Sequence, residues 1–136
     1  DIEDKAISLA IENKDLLAIK NVDFIKSDLF ENIDGKFDLI VSNPPYINKV
    51  DYKNLDKELF YEPKSALYGG VDGLDFYRQI IKEASNYLND GGHLIFEIGY
   101  DQKDEINDLL KKENFINIKN IKDFNDFDRF IIAQKG

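Results

Sequence analysis

The 136 residues contain no cysteine, no methionine and no tryptophan, one histidine and three prolines. Without cysteine there is no disulfide framework, no thiolate nucleophile and no thiolate metal site. No apolar run is long enough to span a membrane and no signal peptide is visible, so the expected compartment is the cytoplasm. Positive charge is in deficit: 18 Lys and Arg stand against 27 Asp and Glu, a net charge of −9 with an isoelectric point of about 4.6. Such a surface repels phosphate backbones and argues against autonomous binding to duplex nucleic acid, and no local basic patch offsets it. The missing methionine and the opening Asp1 lead us to expect a piece of a longer protein. What is present suits a globular domain: 43% hydrophobic and 12% aromatic residues supply a core for one domain spanning 1–136.

Hydrophobic periodicity predicts a helix over 4–14, with acids in its first turn. A short alternating strand is expected over 22–26 and a buried strand over Phe37-Asp38-Leu39-Ile40-Val41-Ser42. Residues 47–71 read as a long irregular connection, a kind of loop that is usually functional. Asp72 or Asp75 caps a helix running to about 89, with Leu74, Tyr77, Ile81, Ala84 and Leu88 as its buried stripe and Gly91-Gly92 as its stop. A strand over 93–98, a helix over 102–113 with Ile106, Leu109 and Leu110 inward, and two closing strands over 115–121 and 130–133 complete the chain. Strands alternating with helices predict a mostly parallel α/β sheet, and the last two strands, having no helix between them, predict an antiparallel pair.

Asn43-Pro44-Pro45-Tyr46 directly follows the 37–42 run. Neither proline can donate a ladder hydrogen bond, so the strand stops there. The tetrapeptide therefore lies at a strand's carboxyl end, where open α/β sheets place ligands. Asn43 offers an amide oxygen, the prolines fix φ and so aim backbone carbonyls, and Tyr46 offers a flat face. Together these groups can hold a planar –NH₂ between two acceptors and a ring. The plain alternative is a strand, a Pro-Pro turn and a surface tyrosine.

Several segments, in order, resemble the release factor glutamine N5-methyltransferases (the HemK or PrmC family), within the S-adenosylmethionine-dependent class I methyltransferases. They are Asp1-Ile2 with Lys5-Ala6, Ser27-Asp28-Leu29-Phe30, Phe37 to Ile47, Glu62-Pro63 with Ala66-Leu67 and Gly69-Gly70, Asp72-Gly73-Leu74-Asp75 with Tyr77-Arg78, Gly91-Gly92, Glu97-Ile98-Gly99 with Gln102, and Asp128-Arg129-Phe130. Asn-Pro-Pro-Tyr alone is shared with adenine-N6 methyltransferases, whereas the block from Glu62 to Arg78 is more specific. The resemblance implies a Rossmann-like sheet of strand order 3-2-1-4-5-7-6, truncated at its front: the glycine-rich cofactor loop, the first strand, the first helix and most of the second strand precede Asp1 in the family. The 136 residues alone are thus expected to bind cofactor poorly and to be inactive. They are also expected to leave the 37–42 strand with a bare apolar edge, to be met by collapse of the 22–26 strand beside it or by a dimer through that edge.

The resemblance also implies site roles. Asp1 matches the acid that accepts hydrogen bonds from both ribose hydroxyls of S-adenosylmethionine; otherwise it is a frayed terminus. Asp28 matches the position near the adenine amino group, with Leu29 against the adenine ring; otherwise Asp28 caps a turn. Asn43 is implied in cofactor binding and in catalysis, with Pro44, Pro45 and Tyr46 completing the catalytic motif. The substrate –NH₂ would bond to the Asn43 oxygen and the Pro44 carbonyl, in line with the methyl sulfonium. No metal is required. Gly69–Gly73 reads as a flexible loop and helix start rather than a phosphate cradle, Glu62 and Arg78 as an internal ion pair, and His93 as structural. The expected activity is N5-methylation of a glutamine amide in a peptide chain release factor. Rivals are a ribosomal-protein glutamine or adenine-N6 methyltransferase and, from another class, a non-catalytic binding or assembly module.

Overall fold

A computed structural model describes residues 1–55 and 62–136; residues 56–61, which belong to the expected 47–71 connection, lie outside the described residues. The chain divides into two compact units, Asp1–Gly35 and Lys36–Gly136.

The first unit carries helix α1 (Asp4–Leu16), which begins with Asp4 in its first turn and ends with Lys14 in its last, both favourable to the helix dipole. The alternating 22–26 stretch, expected as a strand, is not one. Val22, Phe24 and Ile25 are all exposed, and a strand exists only through a paired ladder; among the described residues the pairing is limited to one residue. The Asp1 amino group donates to Ile25 O at 3.1 Å and Ser27 N donates to Asp1 O at 2.9 Å. Those two bonds, flanking Lys26, are the pattern of a parallel bridge.

The second unit holds β1 (Phe37–Ser42), short helices α2 (Lys49–Lys53) and α3 (Lys64–Leu67), helix α4 (Asp75–Tyr87), β2 (Leu88–Glu97), helix α5 (Lys103–Lys112), β3 (Phe115–Lys122) and β4 (Asp128–Lys135). The sheet order is β1-β2-β4-β3. β1 runs parallel to β2, and β4 is antiparallel to both β2 and β3. This is the 4-5-7-6 half of the order the resemblance implies, a Rossmann-like α/β sheet that closes on an antiparallel pair.

The core follows the expected stripes. Tyr77, Ile80, Ile81 and Ala84 of α4 and Ile106 and Leu110 of α5 are buried, together with Leu94, Phe96 and Ile98 and with Ile131 and Ala133 of β4. Leu94 pairs with Ala133 and Phe96 with Ile131, so these side chains share one sheet face. Leu109 is only half-buried, at the rim of its helix. His93 is exposed on the opposite face, paired with Leu39 and Gln134. β1 is an edge strand, paired only with β2 among the described residues, with Leu39 and Val41 exposed.

Candidate active site

β1 and β2 are parallel and Ser42 pairs with Phe96, so the two strands end side by side. Asn43-Pro44-Pro45-Tyr46 leaves the first end, and Glu97-Ile98-Gly99 continues from the second. Open α/β sheets place their ligands outside this end of the strands. Pro44 is buried, Pro45 and Tyr46 are half-buried, and Asn43 is exposed. The motif thus rests on its prolines and presents its amide outward.

The exit of the motif is tied down. Ile47 N donates to Leu67 O at 3.0 Å, Gly69 N returns a bond to Ile47 O at 2.9 Å, and Lys49 N reaches Val71 O at 3.2 Å. Asn48 then caps α2, its Oδ1 accepting from Val50 N and Asp51 N at 2.9 Å each. The 69–73 segment lies hard against the motif. A Cβ on Gly69 would stand 2.5 Å from Pro45 O and 2.8 Å from Tyr46 Cα. One on Gly73, whose φ is +81°, would stand 2.3 Å from Tyr46 O. These glycines are needed for close approach of backbone to backbone, which corrects the expectation of a merely flexible loop.

Behind the motif, buried Tyr77 donates its hydroxyl to Glu97 O at 2.7 Å and packs edge-on against Phe96, with ring centroids 5.2 Å apart. Burial pushes the Tyr77 phenol up in pKa, and the neighbouring Tyr46 and Glu97 push it further, so it remains a donor. Arg129 holds the end of β2 from the other side, donating from Nη1 to Ile98 O at 3.2 Å and from Nε to Asp123 Oδ2 at 3.2 Å. Arg78 pairs with Asp72 and Asp75 at the start of α4, not with Glu62 as expected. Its guanidinium, hydrogen-bonded to Asp72, holds that carboxyl below the usual range. Asp72 accepts from Leu74 N at 3.1 Å instead of capping the helix itself, and Asp75 is the first helical residue.

The other expected residues lie in the first unit. The Asp1 carboxylate accepts from Glu3 N at 2.8 Å. Ser27, bonded to Asp1 O through its backbone, accepts Asn32 N on its hydroxyl at 3.0 Å and donates that hydroxyl to Leu29 O at 2.9 Å. Asp1 and Asp28 are thereby brought to the same end of this unit, both exposed, beside half-buried Leu29. Leu29 has a φ of +45°, uncommon for a branched residue, and that conformation turns the chain at this point.

A methyltransferase-domain family matches residues 1–130. The chain belongs to the methyltransferase-domain family. It is 51% identical over 139 residues to the release factor glutamine methyltransferase of Fusobacterium nucleatum, covering all of this chain and 39% of that protein. It is 42% identical over 131 residues to the release factor glutamine methyltransferase of Buchnera aphidicola subsp. Baizongia pistaciae, covering 96% of this chain and 47% of that one. The chain thus spans less than half the length of these two relatives. The ribosomal protein L11 methylase of Lactobacillus delbrueckii subsp. bulgaricus superposes with a TM-score of 0.66 at 25% identity, over all of this chain and 56% of that one.

Sequence reasoning missed what supports the motif. Gln102, Gly73, Tyr77 and Arg129 all stand in segments that carry the resemblance, but with no expected role at the site. Nothing in their local spacing signals one, because their partners are remote in sequence: Gln102 bonds to a carbonyl 56 residues away.

Proposed function

We propose that the whole protein transfers a methyl group from S-adenosylmethionine to the N5 nitrogen of a glutamine side chain in a peptide chain release factor. The observation that carries this reading is the rigid Asn43-Pro44-Pro45-Tyr46 turn at the carboxyl end of β1, with its amide outward and its backbone pinned from behind. The methyltransferase-domain match and the two release factor glutamine methyltransferases support it.

An amide nitrogen is a poor nucleophile because its lone pair is delocalised into the carbonyl. Asn43 Oδ1 and the Pro44 carbonyl accept the two N–H bonds of the substrate –NH₂, holding it planar and raising electron density on nitrogen. Pro44 and Pro45 fix φ, so these acceptors need not reorganise during the reaction. Tyr46 flanks the amide with its ring. Holding the nitrogen in line with the departing sulfur removes the entropy cost of alignment, the largest gain available to a displacement without a nucleophilic side chain. S-adenosylmethionine, when bound, supplies an electrophilic methyl on a sulfonium. Asp1 is assigned the ribose hydroxyls, Asp28 the adenine amino group and Leu29 the adenine face, with Asn43 also on the cofactor side. The proton lost from nitrogen passes to water. Protein substrate and cytoplasmic location belong to the same reading. Among the described residues no helix is long and apolar enough to cross a membrane.

The deciding experiment incubates the whole protein with methyl-labelled cofactor and a release factor. Label recovered on a glutamine N5 supports the reading. Label on adenine or on a ribosomal protein alone points to the rival activities, and no transfer at all points to a non-catalytic module.

A further inference from the structure

Gln102 is 7% exposed and ties two remote segments to its own turn. Its Nε2 donates to Tyr46 O at 3.0 Å and to Gly73 O at 3.2 Å, and its Oε1 accepts from Gly99 N at 3.0 Å. The remote segments are the end of the Asn-Pro-Pro-Tyr motif and the turn before α4; its own is the turn after β2. Two carbonyls require donors and one N–H requires an acceptor, so only one orientation of the side-chain amide satisfies all three. No other residue type of this size does so. Glutamate would offer acceptors to two carbonyls, and methionine would offer nothing. The fit admits no slack: a Cβ on Gly73 would stand 2.6 Å from Nε2, and one on Gly99 would stand 2.8 Å from Oε1.

We propose that Gln102 is a positioning residue for amide methylation, fixing the Tyr46 carbonyl and through it the aim of Asn43 and Pro44. This rests on the function proposed above. Ser42 is held in register with Phe96 at the front of the motif, and Tyr46 is held by Gln102 behind it. Only Asn43 and the two prolines lie between these anchors, and proline transmits orientation because its φ is locked. Releasing the rear anchor lets the acceptors drift from the substrate nitrogen. Asp1, Asp28 and Leu29, assigned to the adenosine, lie outside this segment, so cofactor affinity is expected to change little, and only through Asn43.

The test uses the whole protein bearing Gln102→Glu or Gln102→Met, both close to glutamine in length. Folding is checked by thermal unfolding, and kcat and KM for cofactor are measured on a glutamine-bearing release factor. Because a misplacement of an ångström costs up to about 100-fold, kcat is expected to fall roughly 10- to 100-fold in both variants, with KM for cofactor changed less than about twofold. In Gln102→Glu the deficit in kcat should narrow as pH falls, because the protonated carboxyl again donates to one carbonyl; Gln102→Met should show no such recovery. Variants that fold and keep wild-type kcat overturn this inference and leave the proposed function standing. A raised KM with unchanged kcat also overturns it, as does failure of both variants to fold, which would make Gln102 part of the frame alone. A wild-type protein that methylates no glutamine overturns the proposed function and this inference with it.

Discussion

The Tyr77 hydroxyl donates to the Glu97 carbonyl at 2.7 Å, joining α4 to the carboxyl end of β2 just where the candidate site begins. A buried hydrogen bond of this kind contributes about 1 kcal/mol net, and an orphaned partner costs more. Tyr77→Phe keeps the edge-on contact with Phe96 and loses only the bond. It is expected to lower unfolding free energy by about 1–2 kcal/mol, read from urea midpoints. An unchanged midpoint would show that water already serves the Glu97 carbonyl.

Asn43→Ala tests the acceptor directly. Asn43 is exposed, so its loss should alter stability by no more than about 0.5 kcal/mol. In the whole protein, methyl transfer to glutamine should fall to background. Transfer persisting within tenfold of wild type, about 1.4 kcal/mol in barrier, would remove Asn43 from the assigned role.

Gly73→Ala strikes the same turn from behind. Its φ of +81° strains any side chain, and the new Cβ would stand 2.3 Å from Tyr46 O. The expected cost is about 1–3 kcal/mol of stability, together with loss of methyl transfer in whatever fraction remains folded. Wild-type thermal stability in this variant would mean that the turn can move away from the motif.

The strand Phe37–Ser42 was legible because an apolar run met two prolines that could not extend it. The α4 stripe was legible because Tyr77, Ile81 and Ala84 recur at helical spacing and are buried; its end was not, since α4 stops at Tyr87, and Leu88 and Gly91-Gly92, expected as its last stripe residue and its stop, belong to β2, where Leu88 pairs with Phe37. The 22–26 stretch misled because its apolar residues mark neither a buried face nor a partner: all are exposed, and among the described residues the Asp1 backbone alone pairs with it. Arg78 misled for a related reason. Its acids lie six residues back, in the loop before α4, and three residues back, in the first turn of α4, while pairing with Glu62 rests on charge alone. Gln102 and Gly73 were illegible in role because crowding at a crossing of loops has no one-dimensional trace. The first residues of the candidate site could be read locally, and the scaffold that aims them could not.

The Asp72–Arg78 pair predicts a pH effect. Arg78 lowers the folded pKa of Asp72 below its ordinary 3.8. A depressed carboxyl stabilises the fold above the unfolded pKa and loses that contribution as pH falls through the folded one. Both side chains are nearly half exposed, at 49% and 44%, so solvent screening limits the gain to less than about 1 kcal/mol. Arg78→Gln should therefore lie slightly below wild type in stability at neutral pH and converge with it below pH 3.8. Urea midpoints across that range check the sign. A gap that widens on acidification would contradict the pairing.

The outer edge of β1 predicts self-association of these 136 residues studied alone. β1 pairs only with β2 among the described residues, and Leu39 and Val41, on one face, are 50% and 66% exposed. An edge strand that is apolar and lacks lysine or proline is a template for another strand, and a second copy offers an identical edge. Light scattering should show mass rising above that of one chain as concentration increases. Val41→Lys places a charge on that edge, one of the devices by which natural sheets prevent edge pairing. At an exposed position it should cost the fold no more than about 0.5 kcal/mol. The variant is expected to remain a monomer where the unmodified chain associates. A chain that stays monomeric without the substitution would show that the edge twist or Asp38, the one charge within β1, already blocks pairing.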